Sequence, residues 1–571
     1  MPEYNLVDEA WLTLRPVGAG PPRGVGLAEA LLDAHAFEGV VVEFSTQLPA
    51  VMRQVLLPVF GDALGVPSGR AEWAERFSRG RLSDGEAERL RRYLDEHRDR
   101  FDLFSEVAPF GQAAGLRTAK DETKGSAALV ATAASGNNVP LFASRTDADP
   151  LELTPAQAVH WLLHTLCWDT AAIKTGAAGD PQVKAGKTTG NPTGPLGQLG
   201  VVMPVGRTLY ETLLLNLPWT PASQVGEPQW KRPPAGPGWE PRYAEGLLDL
   251  WTWQGRRIRL IPQAGAGGPK VTRVVVCAGD RLEAIPASEP HTTWNLGQPA
   301  KKAGGAKSAV GERRPRRHTP GKAAWRGLEA LLAPARESNG KFETSALLEQ
   351  FNALLEAGTL EETYPLQVQT FGIVYGTQSS VVEDVLHDAV PLPLPALRDG
   401  GEVHDLLLEV ADQAEKLAWT VNNLSADLRR AVGADPVPWD KGQRPGELLL
   451  HVLDPLVRRL LAGVQRAGSD EAVLARGRLA WEQVAWQAAR SVAEPLFDAA
   501  PADAFRGREV QQAGKGTRTS VYSLGAAESN FRRQLAFILP RQADVLRAAA
   551  AARRETETRA TEDGSTLGAG I

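Results

Sequence analysis

The strongest constraint on the fold sits in the last third of the chain. From His404 onward, apolar residues recur at three- and four-residue spacing through 402–432, 447–466, 470–498 and 526–553, most clearly from Leu448 to Leu461. Each such segment must bury one stripe of its surface. Four long helices joined by shortish links do so as a four-helix bundle, expected over residues 396–558. The one long link, Ala500 to Gly525, holds Arg506, Arg508, Lys515 and Arg518. The tail 559–571 is polar and expected to be disordered.

Residues 1–395 follow no single period. A chain of 571 residues is too long for one core, and 56 glycines and 41 prolines imply long loops. The expected class is α+β: a mixed α/β domain over 1–395, then the bundle. Tyr4 to Leu14 alternates as a first strand, and Gly26 to His35, Val51 to Phe60 and Glu86 to Asp99 read as helices. Phe101-Asp-Leu-Phe and Pro109-Phe-Gly-Gln supply aromatic core pegs. Thr154 to Trp168 is a helix with Thr154 as its cap and Pro155 at its first position. Gly246 to Trp253 is helical, Arg257 to Pro262 and Val271 to Val276 form a hairpin, and Leu366 to Val374 is a strand ending in a turn, Tyr375 to Ser380.

Between Ala171 and Leu215 lies a stretch with eight glycines, including Gly176 and Gly179, and with Lys174 and Thr175 beside them. Glycine lets backbone N–H groups approach a ligand because no Cβ intervenes. The helix expected around Leu209, Leu213 and Leu214 gives this surface a rigid support. A phosphodiester or a base edge suits it; an ordinary long surface loop is the alternative. Gly186-Lys187-Thr188 has the tail of a phosphate-binding loop, but Pro181 stands where the first glycine is required and no apolar strand leads in.

Net charge is −5, so any nucleic-acid surface must be local. One candidate is 299–322, a flexible basic segment. Lys301, Lys302, Lys307, Arg313, Arg314, Arg316, Arg317 and Lys322 stand there, with Arg326 just beyond, against the single acid Glu312. It is either a solvated linker or an arm that follows a nucleic-acid backbone. Cys167 and Cys277 make no metal or redox spacing; with no signal peptide they point to a reducing cytoplasm. No run approaches the roughly 18 apolar residues of a membrane span.

His160 and His164 are four apart on a helix, but Trp161 stands where a zinc protease needs its glutamate, so a structural pair is expected and no metal or other cofactor. No nucleophile elbow, dinucleotide fingerprint or clustered carboxylate pair survives its context, which favours a non-catalytic chain. The competing reading is a stand-alone nucleotide- or phosphate-binding enzyme that uses the Gly-rich loop.

Four stretches together resemble one family, the large CasA subunit of the type I-E CRISPR surveillance complex (Cascade). They are Tyr4-Asn-Leu-Val-Asp-Glu-Ala-Trp11, Phe101-Asp-Leu-Phe with Pro109-Phe-Gly-Gln, Val205 to Pro218, and Phe371-Gly-Ile-Val-Tyr-Gly-Thr-Gln-Ser-Ser380. The resemblance implies a DNA-binding subunit that inspects the protospacer-adjacent motif (PAM) from the minor groove and starts R-loop formation. It places a wedge at Gln378 between Thr377 and Ser379, and a glycine loop on Lys174, Thr175, Gly176 and Gly179. A basic finger falls on Lys270 and Arg273, and a loop touching guide RNA and neighbouring subunits on Asn138, Phe142 and Arg145. The partners implied are double-stranded target DNA, the CRISPR RNA-containing Cascade subunits and a helicase–nuclease effector.

Overall fold

A computed structural model describes residues 3–135, 151–265, 267–297, 313–334, 340–437, 444–512 and 518–566. The chain separates into two compact units, 1–361 with 365–390, and 362–364 with 391–571. The first unit therefore stops short of residue 395. Residues 362–364 join the second because Glu362 is bound there, pairing with Arg398 at 2.6 Å and accepting the Ser469 N–H at 3.1 Å.

In the first unit the opening residues are a turn and not a strand. Asn5 closes it, its side-chain oxygen accepting the Val7 N–H at 3.0 Å and its carbonyl the Glu9 N–H at 2.9 Å. The strand begins only at Leu12, as β1 (Leu12–Pro16), flanked by β2 (Arg23–Val25) and β3 (Phe37–Val41). A short strand β4 (Lys124–Gly125) follows. The peg residues Phe101, Leu103, Phe104 and Phe110 are all buried.

Helix α1 (Pro155–Trp168) has the expected start, with Thr154 and Gln157 forming a reciprocal capping box. It is buried nearly all round, so its histidines serve the core. His160 Nε2 bonds the Trp11 carbonyl at 3.0 Å and His164 Nε2 the Thr46 hydroxyl at 3.0 Å. One antiparallel pair of two-residue strands, β5 (Lys174–Thr175) and β6 (Lys187–Thr188), lies in the Gly-rich stretch. Then come β7 (Val201–Val205) and α2 (Leu209–Leu215), capped by Thr208.

The long hairpin of β8 (Arg256–Gln263) and β9 (Lys270–Ala278) adds β4 on its outer side. A second hairpin, β10 (Gln367–Tyr375) and β11 (Val382–Pro391), pairs through β10 with β7, Phe371 opposite Val201. A buried polar network pins β7 and α2. Asn216 donates to the Pro204 carbonyl at 2.7 Å and meets His291 at 3.1 Å, and Arg53 pairs with Glu289 at 2.6 Å. Burial alone would raise the Glu289 carboxyl, but Arg53 brings it down to about 2.

The second unit is a bundle of α3 (Glu402–Ala431), α4 (Pro445–Ala467), α5 (Glu471–Asp498) and a last rod in two pieces. On α3 the buried positions include Leu406, Val410, Leu417, Val421, Leu424 and Leu428, the stripe read from sequence. The long link from Ala500 to Gly525 contains an antiparallel hairpin, β12 (Arg508–Gln512) with β13 (Arg518–Tyr522). The expected fourth helix is broken, into α6 (Leu524–Ile538) and α7 (Pro540–Thr566). Pro540 has no N–H to continue the ladder, and the preceding residue Leu539 leaves the helical region at φ −118°, ψ 66°.

The break is built into the packing. Gln413 of α3 donates to the Ile538 carbonyl at 3.0 Å. The fully buried Glu482 of α5 receives Arg541 at 2.6 Å and the Gln542 N–H at 2.9 Å. Helix α7 also runs to Thr566, past the point where sequence places a disordered tail, because Ala, Arg and Glu are strong helix formers.

Candidate nucleic-acid interface

The Gly-rich stretch is closed at its base by one buried acid. Asp169, which follows α1, meets the Lys174 ammonium and the Arg256 Nε, each at 2.5 Å. Arg256 also donates to the carbonyls of Thr170 and Pro192, both at 2.8 Å, so a single guanidinium ties the two ends of the loop. The Arg256 side chain is 2 % exposed and the Lys174 side chain 11 %. Burial alone would raise the Asp169 carboxyl, but the two cations hold it well below the usual carboxylate range. Lys174 therefore faces Asp169 and not solvent. Its place as a DNA contact gives way to one inside the loop's foundation.

Thr175 pairs with Lys187, and the Gly176 N–H donates to the Gly186 carbonyl at 2.9 Å. A Cβ on Gly176 would lie 2.5 Å from a Val183 methyl, so only glycine fits. Gly179 has φ +85° beside Pro237. Ala185 and Gly186 have φ +49° and +72°, and Lys184 and Lys187 exchange two backbone hydrogen bonds of 3.0 Å. Those are the marks of a two-residue type I′ turn. Gly186-Lys187-Thr188 is thus a hairpin turn with no helix behind it, and the geometric basis for a phosphate-binding loop is absent. The loop rests on residues 117–118: the Ala178 N–H donates to the Arg117 carbonyl at 2.8 Å, and Ala177 bridges Thr118.

The β10–β11 turn sits against the start of this loop. The Ala171 N–H donates to the Ser379 carbonyl at 2.8 Å, and the Tyr375 hydroxyl donates to the Trp168 carbonyl at 2.6 Å. A Cβ on Gly197 would be 2.3 Å from that hydroxyl, so glycine there makes room for the anchor. Within the turn the Gly376 N–H donates to the Val381 carbonyl at 3.0 Å. Gln378 and Ser379 both take left-handed backbone, at φ 55° and 53°. Each such residue costs about 1–2 kcal/mol when it is not glycine. Thr377 and Gln378 are exposed, and among the described residues the Gln378 side chain has no hydrogen-bond partner. An extended amide at a strained tip is available to a ligand.

Of the basic-finger pair, Lys270 begins β9 opposite Gln263, part-exposed and without an ion-pair partner among the described residues. Arg273 is turned back: Nε donates to the Thr123 hydroxyl at 2.9 Å and Nη2 to its carbonyl at 2.5 Å. Its guanidinium fastens β4 to β9. Free cations that sequence reading missed surround it. Lys124 is exposed on β4, Arg117 and Lys120 on the segment under the glycine loop, and Lys184 and Lys187 on its hairpin. These residues are scattered in sequence; only the pairing of β4 with β9 and the seating of the loop on residues 117–118 brings them near one another. Asn138, Phe142 and Arg145 lie outside the described residues. So does 299–312 of the basic segment, but from Arg313 on it is no flexible arm. Residues Arg313–Pro315 pair with Trp294–Leu296, and Arg313 binds Glu343 at 2.7 Å while stacking on Trp294.

Among the described residues no group of three or more His, Cys, Asp or Glu is placed to hold a metal. No described helix is long and apolar enough to cross a membrane.

A family model described as CRISPR-associated protein Cse1 matches residues 5–492. The chain is 28 % identical over 446 residues to a CRISPR-associated protein CasA/Cse1 of Thermus thermophilus, covering 75 % of this chain and 78 % of that one. The solved structure of Thermobifida fusca Cse1 is similar at 29 % identity and TM-score 0.78, over 95 % of this chain and 99 % of that one. A chain of a CRISPR RNA-guided surveillance complex has the same fold at 21 % identity and TM-score 0.69, over 94 % of this chain and all (100 %) of that one.

Proposed function

This chain belongs to the CRISPR-associated Cse1 family, and we propose that it is the large, non-catalytic subunit of a CRISPR RNA-guided surveillance complex. In this reading it recognises the PAM of duplex DNA from the minor groove and opens the duplex so that guide RNA can pair. The observation that carries it is the hydrogen bond from Ala171 to Ser379. It couples two elements remote in sequence, the glycine loop and an exposed turn that presents an unpaired amide.

The roles follow from chemistry. The minor groove distinguishes mainly A·T from G·C, so the exposed part of the glycine loop around Gly179, with a few cations, would accept several related PAMs. Lys270, Lys124 and Lys187 supply phosphate contacts, while Lys174 and Arg273 hold the elements that carry them. Gln378 is long enough to enter a base step, uncharged, and able to bond exposed base edges. Unstacking that step costs roughly a few kcal/mol, which the new contacts offset. From the opened step, sequence specificity passes to base pairing with the guide. The bundle is left to contact neighbouring subunits and the helicase–nuclease effector, and the loop of Asn138, Phe142 and Arg145 the guide RNA.

The test uses the assembled guide-RNA complex with Gln378→Ala. Assembly should be unchanged while opening of a target duplex, followed by a fluorescent base analogue beside the PAM, is slowed at least tenfold. Opening at the wild-type rate would remove the wedge.

A further inference from the structure

A separate basic cavity opens on the body of the hairpin that carries Gln378. Residues 316–327 fold against Thr370 of β10 and Val385–Asp388 of β11, enclosing about 220 Å³. Arg316, Lys322 and Arg326 line it, against a single lining carboxylate, Asp388. That carboxylate is already engaged, accepting the N–H groups of Ala324 and Ala389, each at 2.7 Å.

Arg316 is the informative residue. Its guanidinium is partly withdrawn from water and stands 5.5 Å over the Phe342 ring, yet it makes no hydrogen bond to a described residue. Burial pulls it below its ordinary value, with Glu329 opposing. A Cβ on Gly327 would lie 3.5 Å from both terminal nitrogens, so the guanidinium stands in ordinary contact distance of that backbone. Lys322 is exposed and likewise lacks an ion pair among the described residues. The histidines are walls and not ligands: His318 bonds the Val201 carbonyl at 2.9 Å, and His387 stacks on Phe371 at 4.7 Å. A half-desolvated guanidinium fork beside a free ammonium matches the oxygens of a phosphate, the fork bidentately and the ammonium as a point charge.

We propose that this cavity binds a backbone phosphate of a nucleic-acid strand through Arg316 and Lys322. Strand β11 connects it to the turn. From Val382 to His387 a strand covers roughly 16 Å at about 3.3 Å per residue, close to five nucleotide steps at about 3.4 Å each. A strand that leaves Gln378 still stacked at duplex spacing would therefore meet the cavity about five nucleotides on. That positional claim rests on the function proposed above; the phosphate site itself does not.

The experiment uses the full-length protein with two probes, inorganic phosphate and a fluorescein-labelled DNA strand, single and in duplex. Variants are Lys322→Ala, whose exposed side chain leaves the fold intact, and Arg316→Gln, checked by circular dichroism. Expected results are thermal stabilisation of the wild type by phosphate and its loss in Lys322→Ala. The salt slope of DNA binding should also fall by about 0.7 for the single strand and about 0.9 for the duplex. If Arg316→Gln fails to fold, Lys322→Ala decides alone. Phosphate protection with an unchanged DNA slope would identify a free-phosphate site and overturn the proposal, as would no response to either probe. Gln378→Ala, measured in parallel, should alter duplex opening and not the slope, so failure of the wedge and failure of the cavity read separately.

Discussion

The backbone of Ala171 is hydrogen-bonded to that of Ser379 across 2.8 Å, joining the first residue of the glycine loop to the turn that carries Gln378. The bond uses no side chain, so no substitution at either position removes its donor or acceptor except Ala171→Pro. That change deletes the N–H. In the assembled complex it should loosen the turn and slow duplex opening as Gln378→Ala does, with Gln378 still present; unaltered opening would show that the coupling is dispensable.

The left-handed backbone of Gln378 allows the proposed wedge role of its side chain to be separated from the backbone strain. Gln378→Gly relieves the backbone but raises the entropy of the unfolded chain, and these roughly cancel. Unfolding free energies from urea titration should stay within about 1 kcal/mol of wild type, while opening falls as far as in the alanine variant. A large gain in stability with opening retained would contradict the role given to the side chain.

Asp169 and Lys174 predict a contrast. Asp169→Asn strands two buried cations and should destabilise by about 3–5 kcal/mol in urea unfolding. Lys174→Met leaves the Asp169–Arg256 pair and should cost less. Because the ammonium is buried, it should also leave the salt slope of DNA binding unchanged. A drop of about one in that slope would mean that Lys174 turns outward onto a phosphate.

For the finger, Lys270→Ala and Lys124→Ala should each lower the salt slope of duplex binding by about 0.9. Arg273→Ala should instead act through stability, by freeing Thr123 and the adjoining β4 from β9. Equal slope losses in Arg273→Ala and Lys270→Ala at unchanged stability would place the guanidinium on DNA.

Acid should weaken the first unit through His164, which burial pulls down to about 3. Its folded value lies below its unfolded value of about 6.5. The folded state thus resists protonation, and stability present above pH 6.5 is lost progressively as pH falls toward the folded value. At pH 5 the loss amounts to about 2 kcal/mol. Urea midpoints between pH 7 and 5 measure it, and His164→Gln should flatten that dependence. An equally steep fall in the variant would assign it to other groups.

Much of the fold was legible wherever a local rule decides. Thr154 and Pro155 announce the start of α1, and the stripe on α3 announces the bundle. The alternation of residues 257–262 and 271–276 announces the β8–β9 hairpin. Strand β7 was missed because Val201 to Pro204 are all buried, which erases the alternation that marks a strand. β11 was missed because it is polar on much of its length, with Glu383, Asp384 and His387 exposed.

The candidate site was proposed from sequence only through resemblance, and the structure supports its residues unevenly. Gln378 stands at the exposed tip of the turn, as the wedge motif implies. Lys174 and Arg273 have the right charge in the right stretches, yet Asp169 and Thr123 take up their side chains. Neither partner is close to them in sequence. Exposed cations such as Lys124 carry no motif and become candidates only through strand pairing.

The interruption at Pro540 bears on where this polypeptide can be shortened. Ending it at Leu539 would remove Arg541 and the Gln542 amide, stranding Glu482 as a bare anion inside the bundle. Ending it a few turns further on, where α7 is exposed from Asp544 to Glu557, would spare that contact. The first turn after the proline belongs to the core of the second unit, and the remainder of α7 is an outrigger.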